Sequence, residues 1–248
     1  MKRYLTIGLI PFFALAQADV DVIFERHSTA KIEFHDGARL ADLLFNVQLP
    51  DNIYWRTAQI ANEKTIAAFQ MTKEQLLKDL KALQVFWMRE GDKGALIQST
   101  QQLLQELDRI PISGRLPVLL DPAKTRVDPE GNPLLKGNYT LFVAPRPDFI
   151  YFVGLINGRS KQPLRLGASL ASYWQDYRLL AGAAQHEAFL IQPDGAISRV
   201  PVANWNKLHR EPMAGATLFV GFDPQIIPEQ YKDINIRIAN LIANRVPE

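Results

Sequence analysis

Hydrophobic and polar residues alternate in two short runs near the start of the chain. The stretch VDVIFERHSTAKIEFHDG, residues 20–37, has polar residues between its two runs. Alternation around a polar turn is typical of a β-hairpin. In ARLADLLFNVQLP, residues 38–50, the apolar residues Leu40, Leu43, Leu44 and Val47 recur at helical spacing, and Pro50 follows. This pattern predicts a helix that ends before the proline.

Two longer helical stripes follow. The first runs from Thr72 to Glu90, where Thr72 and Gln75 are spaced as a capping box. Its apolar residues are Leu76, Leu77, Leu80, Leu83 and Trp87. After the break GDKG, a second stripe comprises Leu96, Ile97, Leu103, Leu104 and Leu107. We predict an antiparallel helical hairpin, inserted into a β-rich domain over about residues 58–109. GRLPVLLDPAKTRV, residues 114–127, predicts a return to strand.

The second half begins after a stretch rich in proline, glycine and asparagine, DPEGNPLLKGN, which we take as a domain boundary. Strands are predicted in YTLFVAP, DFIYFVGLING and ATLFVGF, and a helix in GASLASYWQDYRLLAGA, residues 167–183. EAFLIQPDGAISRVPV predicts a hairpin turning at residues 193–195.

The last segment, residues 227–248, predicts an amphipathic helix. Its apolar face comprises Ile227, Tyr231, Ile234, Ile238, Leu241 and Ile242. We expect Tyr231, Ile234, Ile238 and Leu241 to be buried against the second domain. The opposite face carries charged residues such as Lys232 and Arg237, which favour water or protein over lipid.

The two halves resemble each other, since GARLA at residues 37–41 and GASLA at 167–171 each open a predicted helix after two strands. The order β-β-α-β in both halves indicates an α+β fold built from a duplicated unit, and the β-grasp fold has that order. We therefore predict tandem β-grasp domains at residues 19–132 and 133–226, followed by the terminal helix.

The first 18 residues change the reading of composition. MKRYLTIGLIPFFALAQA has a basic start, a short apolar stretch and the tail Ala16-Gln17-Ala18, so we predict a secretory leader cleaved after Ala18 and a periplasmic protein. Removal of Lys2 and Arg3 leaves 26 basic and 26 acidic residues from the 28 and 26 of the full chain. This balance argues against a nucleic-acid partner. The chain has no cysteine, which excludes disulfides and thiolate chemistry.

Arg115 lies between a Ser-Gly turn and the apolar run Leu116–Leu120. A buried guanidinium must be paired or hydrogen-bonded because its desolvation otherwise costs several kcal/mol. The alternative is a strand-end arginine whose head group stays in water. Arg115 follows the predicted insert and precedes the predicted return to strand, and we take it as the candidate binding residue.

Catalytic motifs are incomplete. His186-Glu187 begins like a zinc-protease motif, but Leu190 stands where the second histidine is needed. GASLA lacks the second glycine of a nucleophile elbow, and no phosphate loop or dinucleotide fingerprint occurs. We expect no catalytic residue, no metal and no cofactor. A glycosidase-type pair of carboxylates stays open, since the fold sets its spacing.

Aromatic residues are the other candidate chemistry, because flat apolar rings with a polar edge suit sugars. Trp87 and Trp174 lie within predicted helices, where core packing is the favoured interpretation. Trp55 and Trp205 lie in irregular stretches, where packing and ligand contact are about equally expected. We assign none of them to a site.

Taken together, the leader, the two β-grasp-like halves, the helical insert, the IPISGR turn and the terminal helix resemble the GfcC-like capsule-biosynthesis family. The second half, from VGLING to AISRVPV, is similar to the soluble-ligand-binding β-grasp modules of Wza-type polysaccharide exporters. The resemblance extends over essentially the whole chain after the leader. The IPISGR turn resembles the family's arginine position, which implies that Arg115 lies where the insert and the two domains meet. The chain lacks the lipid-anchoring cysteine of the exporters, so the resemblance does not imply the outer-membrane pore itself.

This resemblance implies a periplasmic accessory protein for assembly or export of a surface polysaccharide, acting by binding and not as an enzyme. The expected partners are polysaccharide, other capsule-export proteins or an outer-membrane component. We expect a monomer without stable membrane insertion. The alternatives are a glycan-modifying enzyme and an oligomeric component of an export channel.

Overall fold

A computed structural model describes residues 17–91, 93–158, 160–174, 177–202 and 210–248. Most of the predicted leader, together with Trp205, lies outside these residues. In the described part of the chain, no helix combines the length and the apolar character that crossing a bilayer requires.

The first sheet has four strands. They are β1 (Ala18–Phe24), β2 (His27–Phe34), β3 (Gln59–Asn62) and β4 (Gly137–Val143), in the order β2-β1-β4-β3. β1 pairs antiparallel with β2, which confirms the first predicted hairpin, and parallel with β4. Its core is completed by the helix α1 (Leu40–Leu44), whose three leucines are buried.

β4 corrects our domain boundary. We placed residues 137–143 in a second domain beginning at residue 133, but β4 lies between β1 and β3 in the first sheet. A strand pattern does not reveal which sheet the strand joins, because pairing partners are distant in sequence. The helix α1 is also shorter than predicted, and Val47 is 97% exposed.

The helical hairpin consists of α2 (Glu63–Arg89) and α3 (Gly94–Arg109). The predicted start of α2 at Thr72 is wrong. Asn62 caps the helix instead, because its side chain accepts a hydrogen bond from the Thr65 backbone N–H at 2.9 Å and the Thr65 hydroxyl accepts from the Asn62 N–H at 3.1 Å. Thr72 lies inside the helix, where its hydroxyl donates to the Ala68 carbonyl. β3 therefore leads directly into α2.

The second sheet has five strands in the order β10-β9-β11-β5-β7. These strands are β5 (Phe149–Gly154), β7 (Lys161–Pro163), β9 (Glu187–Ile191), β10 (Ile197–Pro201) and β11 (Thr217–Val220). The strands β6 (Ile156–Asn157) and β8 (Arg178–Leu179) have two residues each and pair with each other. The hairpin β9–β10 and the last strand β11 are as predicted. The predicted helix over residues 167–183 is wrong beyond α5 (Leu170–Trp174), since β8 follows.

One helical layer covers the second sheet. The chain ends in α6 (Ile234–Ala243), which is preceded by a single 3-10 turn (Glu229–Tyr231). The apolar sides of α2, α3 and α6 share one buried cluster with β5, β9 and β11. Ile234, Ile238 and Leu241 are buried as predicted, whereas Tyr231 is only partly buried. The helices inserted into the first half thus belong to the core of the second half.

These elements make the chain an α+β protein. In each sheet the first strand lies parallel to the last, β1 beside β4 and β5 beside β11, and the second strand lies antiparallel on the first. The tandem β-grasp assignment stays an interpretation of this order.

Candidate functional site

The segment around Arg115 runs beside the end of α6. Ser113 donates its backbone N–H to the Asn244 carbonyl at 2.8 Å, and Arg115 donates its N–H to the Asn244 side-chain carbonyl at 3.0 Å. Val246 donates to the Pro111 carbonyl at 2.9 Å. We call this segment, residues 111–116 with its contacts, the Arg115 junction. Its backbone is held by three hydrogen bonds to the terminal part of the chain.

At Gly114 the backbone of the Arg115 junction packs closely against the start of α2. Its φ is +66°, and a Cβ built on it would lie 2.6 Å from the Thr65 carbonyl oxygen and 2.8 Å from the Ile66 backbone nitrogen. Both the left-handed conformation and the close approach to backbone require glycine. The insert therefore contacts the turn that carries Arg115.

A buried network of polar side chains also holds the Arg115 junction in place. The Ser113 hydroxyl hydrogen-bonds to the Gln59 side-chain carbonyl, and the Gln59 amide donates to the Arg245 carbonyl at 2.7 Å. Ser113 and Gln59 are buried. This network connects β3 of the first sheet to the residues after α6.

The segment after Arg115 is not the predicted strand. Leu116 donates its N–H to the Ile60 carbonyl at 2.8 Å, but the chain then runs irregularly to the short helix α4 (Pro122–Thr125). Leu119 is 56% exposed. Two prolines, Pro117 and Pro122, remove backbone donors from this run, which prevents a regular ladder.

The Arg115 side chain reaches the β9–β10 turn of the second domain. Its Nη2 donates to the Pro193 carbonyl at 2.9 Å, and its Nη1 lies so close to Gly195 that a Cβ there would be 2.7 Å away. The Nε is buried and has no hydrogen-bond partner among the described residues. Burial lowers the pKa of the guanidinium to about 10, against the opposing effect of Asp194, so Arg115 is a cation at neutral pH. The structure thus places Arg115 between the insert and the two sheets.

A cleft of about 430 Å³ opens beside Arg115. Its polar and aromatic lining includes Trp55, Arg56, Gln59, Arg115, Asp121, Lys124 and Asp194, and its apolar wall is formed by Ala58 and residues 116–120. We call it the first cleft. The Asp121 carboxylate accepts hydrogen bonds from the Ala123 and Lys124 N–H groups, and that of Asp194 accepts from the Ala196 N–H. Both carboxylates therefore accept hydrogen bonds from backbone N–H groups of their own turns.

Trp55 is the residue that sequence reasoning left unassigned and the structure brings to Arg115. It is partly buried against the first core while it lines the first cleft. Its turn is fixed, because Tyr54 donates its N–H to the Ala144 carbonyl at 2.9 Å and Thr57 donates to the Tyr54 carbonyl at 2.9 Å. Its irregular surroundings were the only sequence signal. A positioned ring and a guanidinium that line one cleft suit a hydroxyl-rich or acidic ligand.

Within residues 17–91, 93–158, 160–174, 177–202 and 210–248, no group of three or more histidine, cysteine or acidic side chains is placed to hold a metal ion. His186 lines a different depression of the second domain, together with Glu187 and Arg199. The first cleft is instead equipped for binding by cations and an aromatic ring.

Comparison with known proteins covers almost the whole chain. Residues 16–146 match the model described as capsule biosynthesis GfcC, N-terminal, and residues 158–247 match the model for the GfcC C-terminal part. The chain is 34% identical over 244 residues to the uncharacterized protein YjbG of Escherichia coli strain K12, covering 98% of this chain and 96% of that protein. The interval between the two models, residues 147–157, agrees with the position of β4 in the first sheet. The chain therefore belongs to the GfcC family of capsule-biosynthesis proteins.

Proposed function

We propose that this protein is a periplasmic accessory factor for assembly or export of a surface polysaccharide, and that it acts by binding glycan in the first cleft. Its membership of a capsule-biosynthesis family supports a role in making such a polysaccharide. The observation that carries the binding role is the placement of Arg115. Its guanidinium is tied to the second domain at Pro193, and it borders a cleft that Trp55 of the first domain also lines.

Binding is favoured over catalysis by what the cleft contains. Its two carboxylates, Asp121 and Asp194, accept hydrogen bonds from the backbone of their own turns. A general acid needs a raised pKa and freedom to transfer a proton to the substrate. The cations and the tryptophan instead offer charge-assisted hydrogen bonds and a stacking surface.

A monomeric accessory protein is supported by the position of α6. Ile234, Ile238 and Leu241 are buried in the protein's own core, and Arg237 on this helix pairs with Asp79 of α2 at 2.5 Å. A helix anchored in this way has no large apolar face left for a ring of subunits. Contacts with other export proteins would then use other surfaces.

Periplasmic location predicts removal of the leader. We predicted cleavage after Ala18, yet Ala18 is buried at the start of β1, and the Gln17 carbonyl accepts the Gly137 N–H at 3.2 Å. A new N-terminus at Gln17, after the small residues Ala14 and Ala16, preserves β1 intact. Intact-mass measurement of the exported protein distinguishes Gln17 from Asp19, and retention of Met1 would contradict export by a cleaved leader.

The binding role is tested in a strain that lacks the gene and is complemented with variants. We expect Arg115→Lys and Arg115→Ala to lower surface polysaccharide while folded protein accumulates normally, because lysine lacks the planar fork of arginine. Arg89→Ala, at the exposed end of α2, is the matched control. Normal polysaccharide in both Arg115 variants, with normal protein levels, would show that Arg115 has no such role.

A further inference from the structure

A second cleft lies on the other side of the Trp55 turn. It has a volume of about 290 Å³ and is lined by Tyr54, Arg56, Arg146, Arg165, Glu211 and Met213. Arg56 lines both clefts. The first domain contributes Tyr54 and Arg56, and the second contributes Arg165 and Met213. The second cleft is therefore also formed where the two halves meet.

The two clefts are held by the same two turns. On one side, Tyr54, Trp55 and Arg56 are consecutive, and the hydrogen bond from the Tyr54 N–H to Ala144 fixes their turn on the end of β4. On the other side, the Gln192 side-chain carbonyl accepts the Met213 N–H at 3.1 Å, while the next residue, Pro193, accepts from Arg115. The clefts thus have a fixed relative position.

Positively charged side chains outnumber acidic ones among the described residues that line the two clefts. The two clefts together present Lys124, Arg115, Arg56, Arg146 and Arg165 against Asp121, Asp194 and Glu211. Arg56 and Arg146 are exposed, and neither forms an ion pair with any residue that the structure describes. Arg146 lies over the Tyr54 ring with its Cζ 6.0 Å from the ring centroid, and the Arg56 Nη1 lies 3.9 Å from the Met213 sulfur. Both guanidinium groups retain donors for a ligand.

We infer that the two clefts form one groove for an acidic glycan, whose carboxylates or other anionic substituents are bound by Arg56 and Arg146 while its rings contact Trp55 and Tyr54. This inference rests on the proposed function and adds the chemical class of its ligand. A neutral glycan needs hydroxyl-directed donors and acceptors in balance. Among the described residues that line the groove, five cations outnumber three acids, which matches a polyanion.

The groove is tested by isothermal titration calorimetry with two sugars on the full chain without its leader. The probes are a defined oligogalacturonide and the same oligosaccharide with its carboxyl groups reduced to alcohols. The variant is Arg56→Gln combined with Arg146→Gln. The control is Arg89→Gln combined with Arg109→Gln, which removes two arginines at the ends of α2 and α3.

We expect the acidic sugar to bind about a hundredfold more tightly than the reduced one, because each charge-assisted hydrogen bond contributes about a factor of ten and both arginines form one. The Arg56/Arg146 variant should lose about a hundredfold for the acidic sugar only, and the control should bind as the unmodified protein does. Equal affinity for both sugars, or unchanged affinity of the Arg56/Arg146 variant, would overturn the inference.

Failure of the groove and failure of the proposed function give different results. Equal binding of both sugars that Arg115→Lys abolishes would overturn the acidic ligand and leave glycan binding in the first cleft intact. Binding of neither sugar would overturn the acidic groove. The proposed function is then decided separately by the polysaccharide measurements on the Arg115 variants in cells.

Discussion

The first sheet is covered by the five-residue helix α1 and irregular segments, whereas the second shares its core with the short helix α5 and the three helices α2, α3 and α6. Two of the latter three helices, α2 and α3, come from the first half of the chain. The second half therefore cannot bury its sheet alone, and the first half cannot detach without exposing it. This difference explains where the candidate binding groups lie. The shared core fixes the Arg115 junction, and the thin cover of the first sheet leaves space for the first cleft beside it.

Truncation of a buried leucine of the insert should have the largest effect, and it tests whether the insert shares its core with the second sheet. Leu80→Ala removes a fully buried side chain of α2 and should lower the free energy of unfolding by about 2–5 kcal/mol. Hydrogen exchange should accelerate first in β9 and β11, although Leu80 lies in the first half of the sequence. Val85→Ala on the same helix is the control, since Val85 is 43% exposed and should change stability by less than about 0.5 kcal/mol. Faster exchange confined to β1 and β4 would contradict the shared core.

The next effect concerns the contact between insert and junction. Gly114→Ala should destabilise the protein by about 2–4 kcal/mol, because it adds a strained left-handed alanine and a clash with the Thr65 backbone. Gly91→Ala is a matched control with φ +69° and nothing within 4 Å of the added Cβ, so it isolates the conformational cost. Chemical denaturation of both variants measures the difference. Equal losses would mean that the approach to α2 is unimportant.

A smaller effect depends on pH and lies between α3 and the second sheet. Glu106 accepts the Gly154 N–H at 3.0 Å, and burial raises its pKa from 4.5 to about 7 despite this hydrogen bond. The folded state thus binds the proton more tightly than the unfolded state. The stability linked to Glu106 is present below about pH 4.5 and is lost as the pH rises towards 7.

Glu106→Gln keeps an acceptor for Gly154 and removes the ionisation. It should therefore stabilise the protein by roughly 3 kcal/mol at pH 8, since one pKa unit corresponds to about 1.4 kcal/mol, and should change little at pH 4. Thermal unfolding at the two pH values checks the sign. A variant that is less stable at pH 8 than the unmodified protein would show that the carboxylate is favourably bound.

Local patterns predicted those elements whose period depends on their own residues. The apolar stripes of α3 and α6 and the alternation in β1 and β2 were sufficient for this reason. The start of α2 was missed because Asn62 both ends β3 and caps the helix, so no turn residues separate the two. The sheet that β4 joins was also beyond local patterns, because its partners in β1 are more than 100 residues away.

In the candidate site, too, local sequence predicted some residues, and others depend on contacts between distant parts of the chain. Arg115 could be selected because it is a lone cation between Gly114 and an apolar run, in a turn that resembles the family's arginine position. Pro193 and Asn244 could not, because they reach Arg115 only through the packing of both halves. Trp55 could not either, because only the folding of the first half brings it to the cleft that Arg115 also lines. Nothing near Trp55 in the sequence distinguishes a ring that lines a cleft from one that fills a core.

The central claim is that glycan occupies the first cleft between Arg115 and Trp55, and nuclear magnetic resonance of the tryptophan indole groups tests it most directly. Titration with the acidic oligosaccharide should shift the Trp55 indole signal, identified by its loss in Trp55→Phe, and leave that of the buried Trp87 unchanged. The shift should disappear in Arg115→Lys while the remaining spectrum stays that of the folded protein. A Trp55 signal that does not move at saturating sugar, or moves equally in Arg115→Lys, would contradict the account.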